Sequence, residues 1–340
     1  MKRVTIKDIA KIAGVSYSTV SRALAGSPCI SDATREKIEQ ICREEGYYRN
    51  ALAGSLNANR TNVIGVIVPD VTNPFYSELS LNIEKNAYQN NYNVIMVNSC
   101  HPERSISDQF DFLISHRVDG IILANSTNEA FKLVKKYSEI VPTILLGDSF
   151  HAVDVTNLCT VSTDNYVGGH LAASYLIEAG HRNILYVGHR EASISHQHRF
   201  DGFSFAMKKA GLTFDVLENT DSSSSVEAGH VLGKKFCQNL GDITAVFAAT
   251  DSVALGIMQA ADEYGLRIPE DFSLLGYDNI LYSSLPTIQL STIDQRKQKA
   301  AEKAVRALVH IIENGMREDD SHRISIPPAL VKRSSVKSLK

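Results

Sequence analysis

From residue 63 onward the chain alternates short apolar runs with longer amphipathic ones. The apolar runs are VIGVIVP (63–69), NVIMVN (93–98), GIILAN (120–125), TILLGD (143–148), CTVSTD (159–164), NILYVG (183–188), AVFAAT (245–250) and FSLLGYD (272–278). Between them, residues 75–91, 105–117, 166–180, 199–211 and 252–265 repeat apolar positions at helical spacing. Strand–helix alternation with buried apolar strands predicts parallel sheets covered on both faces. The number of strands fits two such sheets better than one.

The first fifty residues follow only the helical period. Thr5, with Asp8 three positions on, matches a capping box, and Ile6, Ile9, Ala10 and Ala13 form an inward face. Gly14 can take the positive φ of a helix stop, and Ser16 can cap a second helix with Val20, Ala23 and Leu24 inward. Two short helices around a glycine turn make a helix-turn-helix. The outward face of the second helix carries Tyr17, Ser18, Thr19, Ser21 and Arg22. These side chains can meet base edges and phosphates where such a helix enters a major groove. Thr5 and Ser16, at the two helix starts, join them as candidate DNA contacts. Ser31 then caps a third helix with Ile38, Ile41 and Cys42 inward and Gly46 at its stop.

Charge supports this division. Residues 1–61 carry ten Lys/Arg against six Asp/Glu, a balance of +4, and the remainder carries 25 against 32, a balance of −7. A basic head on an acidic body suggests nucleic acid for the one and another ligand for the other. The five cysteines form no C-x-x-C pair, which argues for reduced thiols in a cytoplasm and against a zinc site. No run reaches the ~18–20 apolar residues of a membrane span, and no apolar segment of a signal peptide follows the N-terminal basic residues. His196 and His198, with His189 nearby, lack the further ligands of a zinc site, so they are read as rim or surface histidines and no metal is expected. Dinucleotide, P-loop and serine-hydrolase motifs are missing, so neither an enzyme nor a cofactor is expected. The SSSS run at 222–225 opens a helix near Val226.

Ligands of open α/β sheets bind beyond the carboxyl ends of strands. At those ends stand Asp70, Asn73, Asn125, Asp148, Asp251 and Asp278, with Arg199 at a helix start and Phe75 and Tyr76 close by. Carboxylates accept from sugar hydroxyls, an arginine donates two bonds, and an aromatic face covers an apolar ring side, so the set suits a polyhydroxylated ligand. Asp70 and Asp251, next to helix starts, can equally serve as caps.

The segments VTIKDIAKIAGVSYSTVSRALAG, SDATREKI, GYYRNALAGSL and IGVIVPDVTNPFY resemble the lactose-repressor/galactose-repressor family of bacterial transcription regulators. The resemblance covers nearly the whole chain. It implies an all-α helix-turn-helix head (1–48), a hinge helix (49–61) and an α/β body of two doubly wound parallel-sheet lobes (62–335), like a periplasmic binding protein, with a tail at 336–340. Lobe one is expected at 62–161 plus 293–320, lobe two at 162–292 plus 321–335. It further implies a cytoplasmic homodimer, probing a pseudo-palindromic operator, with a sugar-type effector between the lobes. Asn125, Asp148, Arg199 (in HRFDGF) and Asp278 (in GYDN) match the positions where sugar-responsive members hold their ligand. Thr250 departs from the asparagine common there, and Ser193 and Ser195 lie in the loop feeding the pocket. In the hinge, Leu56 matches the leucine that wedges into the minor groove, with Asn50 and Ala53 beside it. Gly54 stands where arginine is common and weakens the helix by ~1 kcal/mol relative to alanine.

Three rivals remain at this level. A sugar-uptake receptor shares the two-lobed body but has no helix-turn-helix. An enzyme on the same sheet would turn its sugar over. A regulator of the same family could answer to a phosphocarrier protein or a non-sugar metabolite. The C-terminal RISIPPALVKRSSVKSLK has no leucine heptads, which favours a dimer over a tetramer.

Overall fold

The computed structural model describes residues 4–47, 60–99, 103–148, 158–218, 224–316 and 323–340. The chain divides into two compact units, 1–61 and 62–340. Hinge positions Asn50, Ala53, Gly54 and Leu56 lie outside the described residues.

In the first unit α1 (Ile6–Ala13), α2 (Tyr17–Leu24) and α3 (Asp32–Glu44) enclose Ile9, Val20, Ala23, Ile38 and Cys42. The Thr5 amide and hydroxyl both donate to Asp8 Oδ2, at 2.9 and 2.7 Å, and start α1. Gly14 ends it at φ 71°, a conformation that costs an L side chain steric strain. Ser16 accepts the Thr19 amide at 3.1 Å and starts α2 four residues later, as the turn spacing requires.

The second unit holds two six-stranded sheets. The first runs β11-β5-β4-β3-β1-β2, from Arg323–Ile326, Cys159–Thr163, Thr143–Leu146, Gly120–Ala124, Val63–Val68 and Asn93–Asn98, all parallel. The second runs β12-β10-β9-β8-β6-β7, from Ala329–Val331, Ser291–Asp294, Ser273–Asp278, Ala245–Ala248, Ile184–Val187 and Asp215–Leu217. Among the described residues only the β10–β12 pair is antiparallel. The strands are continuous apolar runs because both faces are covered: every residue of β3, β4, β6, β8 and β9 is buried. The helices are α4 (Pro74–Gln89), α5 (Ile106–Ser115) and α6 (Asn128–Tyr137) before the first crossover. Then follow α7 (Asn165–Glu178), α8 (Ile194–Lys209), α9 (Val226–Gln238), α10 (Asp251–Glu263) and α11 (Lys297–Asn314). Ser225 caps α9, as expected of the serine run.

The chain passes between sheets three times, after β5, after β10 and between β11 and β12. The crossovers are tied together: Thr163 Oγ1 donates to the Gln295 carbonyl at 2.6 Å and the Asp164 amide to the Ile326 carbonyl at 3.0 Å. The expected lobe boundaries are corrected here. Residues 323–326 belong to the first sheet, paired with β5, rather than to lobe two. Ile293 and Asp294 belong to the second sheet, paired with β9, rather than to lobe one. Residues 336–340 are no loose tail, because Val336 packs in the second lobe's core and the Leu339 amide donates to the Ala179 carbonyl at 2.7 Å. Short half-polar strands such as RISI carry too little apolar signal to announce a sheet position.

Candidate functional site

On the head, Tyr17, Ser18 and Arg22 are exposed and Thr19 and Ser21 half-buried, all on α2. The Ser16 hydroxyl, besides capping, meets the Ser18 and Thr19 hydroxyls at 2.7 and 2.8 Å. Six polar side chains are therefore presented along one helix, four of them (Ser16 to Thr19) at its start, the end that enters a groove in a helix-turn-helix.

In the body a cavity of about 610 Å³ opens beyond the carboxyl ends of both sheets. The first wall comes from the β1, β3 and β4 ends: Asp70, Asn73 and Phe75, Asn125, and Asp148. The second comes from the ends of β6, β8 and β9: Ser193, Ser195 and Arg199, Thr250, and Asp278. Sequence reasoning named eleven effector residues, and these ten line the cavity. Asn73 and Thr250 also cap α4 and α10, accepting the Phe75 and Val253 amides.

Asp251 does not join them. It is fully buried beneath the cavity, where Oδ2 accepts from the Ile280 amide (2.9 Å) and the Ser283 hydroxyl (2.6 Å), and Oδ1 from the Thr292 hydroxyl (2.6 Å). Thr250 supplies the helix cap, so Asp251 is neither ligand contact nor cap; it fastens the turn after β9 to β10. Arg199 also needs a correction: α8 begins at Ile194, so Arg199 lies in its second turn with Ser193 as the cap.

Arg199 is 2% exposed. Its guanidinium lies over the Tyr277 ring, 3.5 Å from the centroid, and donates to the Ala249 carbonyl and, at 2.9 Å, to Asn165 Oδ1. Tyr277 donates to the same oxygen at 2.9 Å, and Asn165 Nδ2 donates to Asp148 Oδ2 at 2.9 Å. One asparagine thus orients the arginine of one wall and the aspartate of the other. Gly169 makes room for this, since a Cβ there would collide with the Arg199 carbonyl. Burial opposes the Asp148 charge, but hydrogen bonds from His198, Asn165 and Ser162 outweigh it and hold the carboxyl below its ordinary range. Asp278 and Asp251 go the other way, raised first by burial, with the Asp278 charge also acting on Asp251.

Sequence reasoning missed Asn165, Gln295 and Lys297. Asn165 lies two residues past β5, and applying the strand-end rule at the crossover would have found it. Gln295 donates to Asp278 Oδ1 at 2.5 Å. Lys297, first residue of α11, donates across the crossover to the Asp278 and Asn279 carbonyls (both 2.7 Å) and pairs with Glu78 at 3.4 Å. In sequence it is one of three basic residues in QRKQK and looks like solvated surface. Of the set-aside histidines, His196 lines the cavity and His198 Nδ1 sits 3.4 Å from Asp148 Oδ2. Among the described residues no cluster fit for a metal occurs, and no helix is long and apolar enough to cross a membrane.

A helix-turn-helix unit together with two doubly wound lobes around a polar cleft defines a DNA-binding regulator governed by a small molecule. Comparison with known proteins agrees. Residues 5–50 match the model described as bacterial regulatory proteins, lacI family, and residues 173–336 match a periplasmic binding protein-like domain. The ribose operon repressor of Escherichia coli K12 is 31% identical over 97% of this chain and 99% of its own length. The HTH-type transcriptional repressor PurR of Vibrio vulnificus is 33% identical over 98% and 99%. The Lac repressor dimer bound to operator and the anti-inducer ONPF superposes with a TM-score of 0.83 at 27% identity, covering 99% of this chain and all of that one. A regulator from Enterococcus faecium with bound ribose gives 0.69 at 29%, over 82% of this chain and all of its own. The chain belongs to the lacI family of bacterial regulatory proteins, and it is a transcriptional repressor under small-molecule control.

Proposed function

We propose that the cleft holds a small carbohydrate and that its occupancy sets the affinity of a cytoplasmic homodimer for a pseudo-palindromic operator. The observation that carries this reading is the convergence of Asn125, Asp148, Arg199 and Asp278 from four elements on one cavity beyond two sets of strand ends. The relative from E. faecium, solved with ribose, supports the ligand class, and the operator-bound Lac repressor dimer supports the assembly. Tyr17, Ser18, Thr19, Ser21 and Arg22 read the operator, with Asn50, Ala53 and Leu56 serving in the hinge.

The cleft can act as a switch because contacts cross it on several sides. The Ile194 amide donates to the Ser126 carbonyl at 2.8 Å, the Ser195 hydroxyl to the Ser126 hydroxyl at 2.8 Å, and the Leu281 amide to Glu78 at 2.7 Å. A ligand that changes these distances changes the relation of the two lobes, and a coupling of ~1–3 kcal/mol to operator binding is typical. The test is operator anisotropy at fixed salt with full-length protein, titrated with free sugars. A sugar that shifts operator affinity about fivefold or more without being consumed is the expected result. Turnover of the sugar, or a shift produced only by a protein partner, overturns the reading.

A further inference from the structure

A cleft rich in hydroxyls and amides can hold a sugar with or without a phosphate, and charge decides between them. We propose that this cleft takes an uncharged polyhydroxylated ligand, a free sugar or sugar alcohol, and rejects its phosphate esters and its acids. The inference rests on the carbohydrate reading above.

The cations come first. Among the described residues the cavity is lined by two basic side chains, Arg199 and Lys297, against four acidic ones, Asp70, Asp148, Glu227 and Asp278. The stretches 149–157 and 219–223, which adjoin Asp148 and Ser224 in sequence, contain no lysine or arginine. Lys297 has three N–H groups and three acceptors: the Asp278 and Asn279 carbonyls at 2.7 Å and Glu78 at 3.4 Å. Arg199 already donates to Ala249 and Asn165 with its face on Tyr277. The His196 ring joins the Ser193 and Ser224 hydroxyls, at 2.8 and 3.2 Å, and stays neutral because burial first, then the Arg199 and His189 charges, push its pKa down to about 3. Neither lining cation offers a phosphate a bidentate arginine fork or a mobile ammonium.

Helix starts are the other anion-binding device. Five N-caps line the cavity, Asn73, Thr127, Ser193, Ser225 and Thr250, and each side chain accepts an amide of its own helix. None of these helices has glycine in its first three positions, so no bare backbone is offered for a phosphate to approach. Their dipoles instead offset the carboxylates already standing there.

On the described residues that line the cavity, two buried side-chain atoms are without a hydrogen-bond partner: Asp148 Oδ1 and Arg199 Nε, on residues 1% and 2% exposed. Arg323 forms an ion pair with Asp148 Oδ1 at 3.7 Å, beyond hydrogen-bond reach. Asp148 needs a donor and Arg199 an acceptor. A hydroxyl can be both, whereas a phosphate oxygen only accepts and adds negative charge beside Asp148 and Asp278.

Calorimetric titration of the full-length protein with D-ribose, D-glucose, D-galactose, D-fructose, cellobiose and common sugar alcohols, each paired with its available phosphate ester or acid, tests this. At least one free member binds, and its ester binds about 100-fold more weakly, as like charges in a confined site require. Asp148→Asn narrows that ratio about tenfold, because the ester no longer meets a second carboxylate. An ester that binds as tightly as its parent overturns the inference and leaves the carbohydrate reading standing. If no member of either series binds, the carbohydrate reading fails and the inference falls with it.

Discussion

In the head, every described buried side chain is apolar, and none of the described candidate DNA contacts, Thr5, Ser16 to Thr19, Ser21 and Arg22, is buried. In the body the candidate ligand contacts Arg199, Asp148 and Asp278 are among the buried charged groups. Their support differs in range as well. The candidate DNA contacts Thr5, Ser16 and Thr19 are held by neighbours two or three positions away, as in Ser16–Thr19 and Thr5–Asp8. The body's are held by Asn165–Asp148, 17 apart, Arg199–Ala249, 50 apart, and Tyr277–Asn165, 112 apart. A surface that reads DNA needs only local order with exposed donors. A pocket that must distinguish small ligands needs polar groups fixed in a dry, packed frame.

The largest expected effect therefore lies in the body, at a carboxylate that touches no ligand. Asp251→Ala strands the Ile280 amide and two hydroxyls in the core, and urea denaturation at pH 7 should show a loss of about 3 kcal/mol or more. A loss under about 1 kcal/mol would mean the turn after β9 is held by other means, and the contrast in buried polar support would weaken.

The counterpart in the head changes binding without changing stability. Arg22 is an exposed side chain on the presented face of α2, so Arg22→Ala should weaken operator affinity by about 1–3 kcal/mol. The melting temperature and sugar affinity should stay as in the parent. A fall in melting temperature of several degrees would show that Arg22 also supports the fold.

This contrast explains what the sequence could reveal. The head was legible because cap, turn glycine and inward face all lie within thirty residues of one another and follow one period. Eight of the twelve described strands were legible as apolar runs, most of them because both faces are covered, whereas the short β7, β10, β11 and β12 were not. Ten of the eleven proposed cleft residues reach the cavity because strand ends point to it. Asp251 was misplaced because adjacency to a strand end does not say on which side of the helix start a side chain turns. Lys297 was missed because its meaning comes from carbonyls 18 and 19 positions back, beyond a crossover, and not from its own neighbours.

A third difference concerns protons. Burial lowers the His196 pKa to about 3, so the folded body keeps this ring neutral while the unfolded chain protonates it near 6.5. The stability tied to His196 is full above pH 6.5 and declines as pH falls toward 3, by up to about 1.4 kcal/mol per pH unit. His196→Gln should flatten the fall in melting temperature between pH 6.5 and 5. An unchanged slope would assign the acid sensitivity elsewhere.

The smallest effect tests whether the head's polar groups truly act locally. Ser16 accepts the Thr19 amide and also touches the Ser18 and Thr19 hydroxyls at the start of α2. Ser16→Ala should cost about 1 kcal/mol of stability in the head, the usual value for a lost N-cap. Ser16→Asn restores an N-cap acceptor but not the hydroxyl, so denaturation and operator anisotropy separate two roles. If asparagine recovers both stability and operator affinity, Ser16 works through the helix alone. If it recovers only stability, the hydroxyl also contacts DNA, and one residue joins cap and readout at the point where α2 meets the groove.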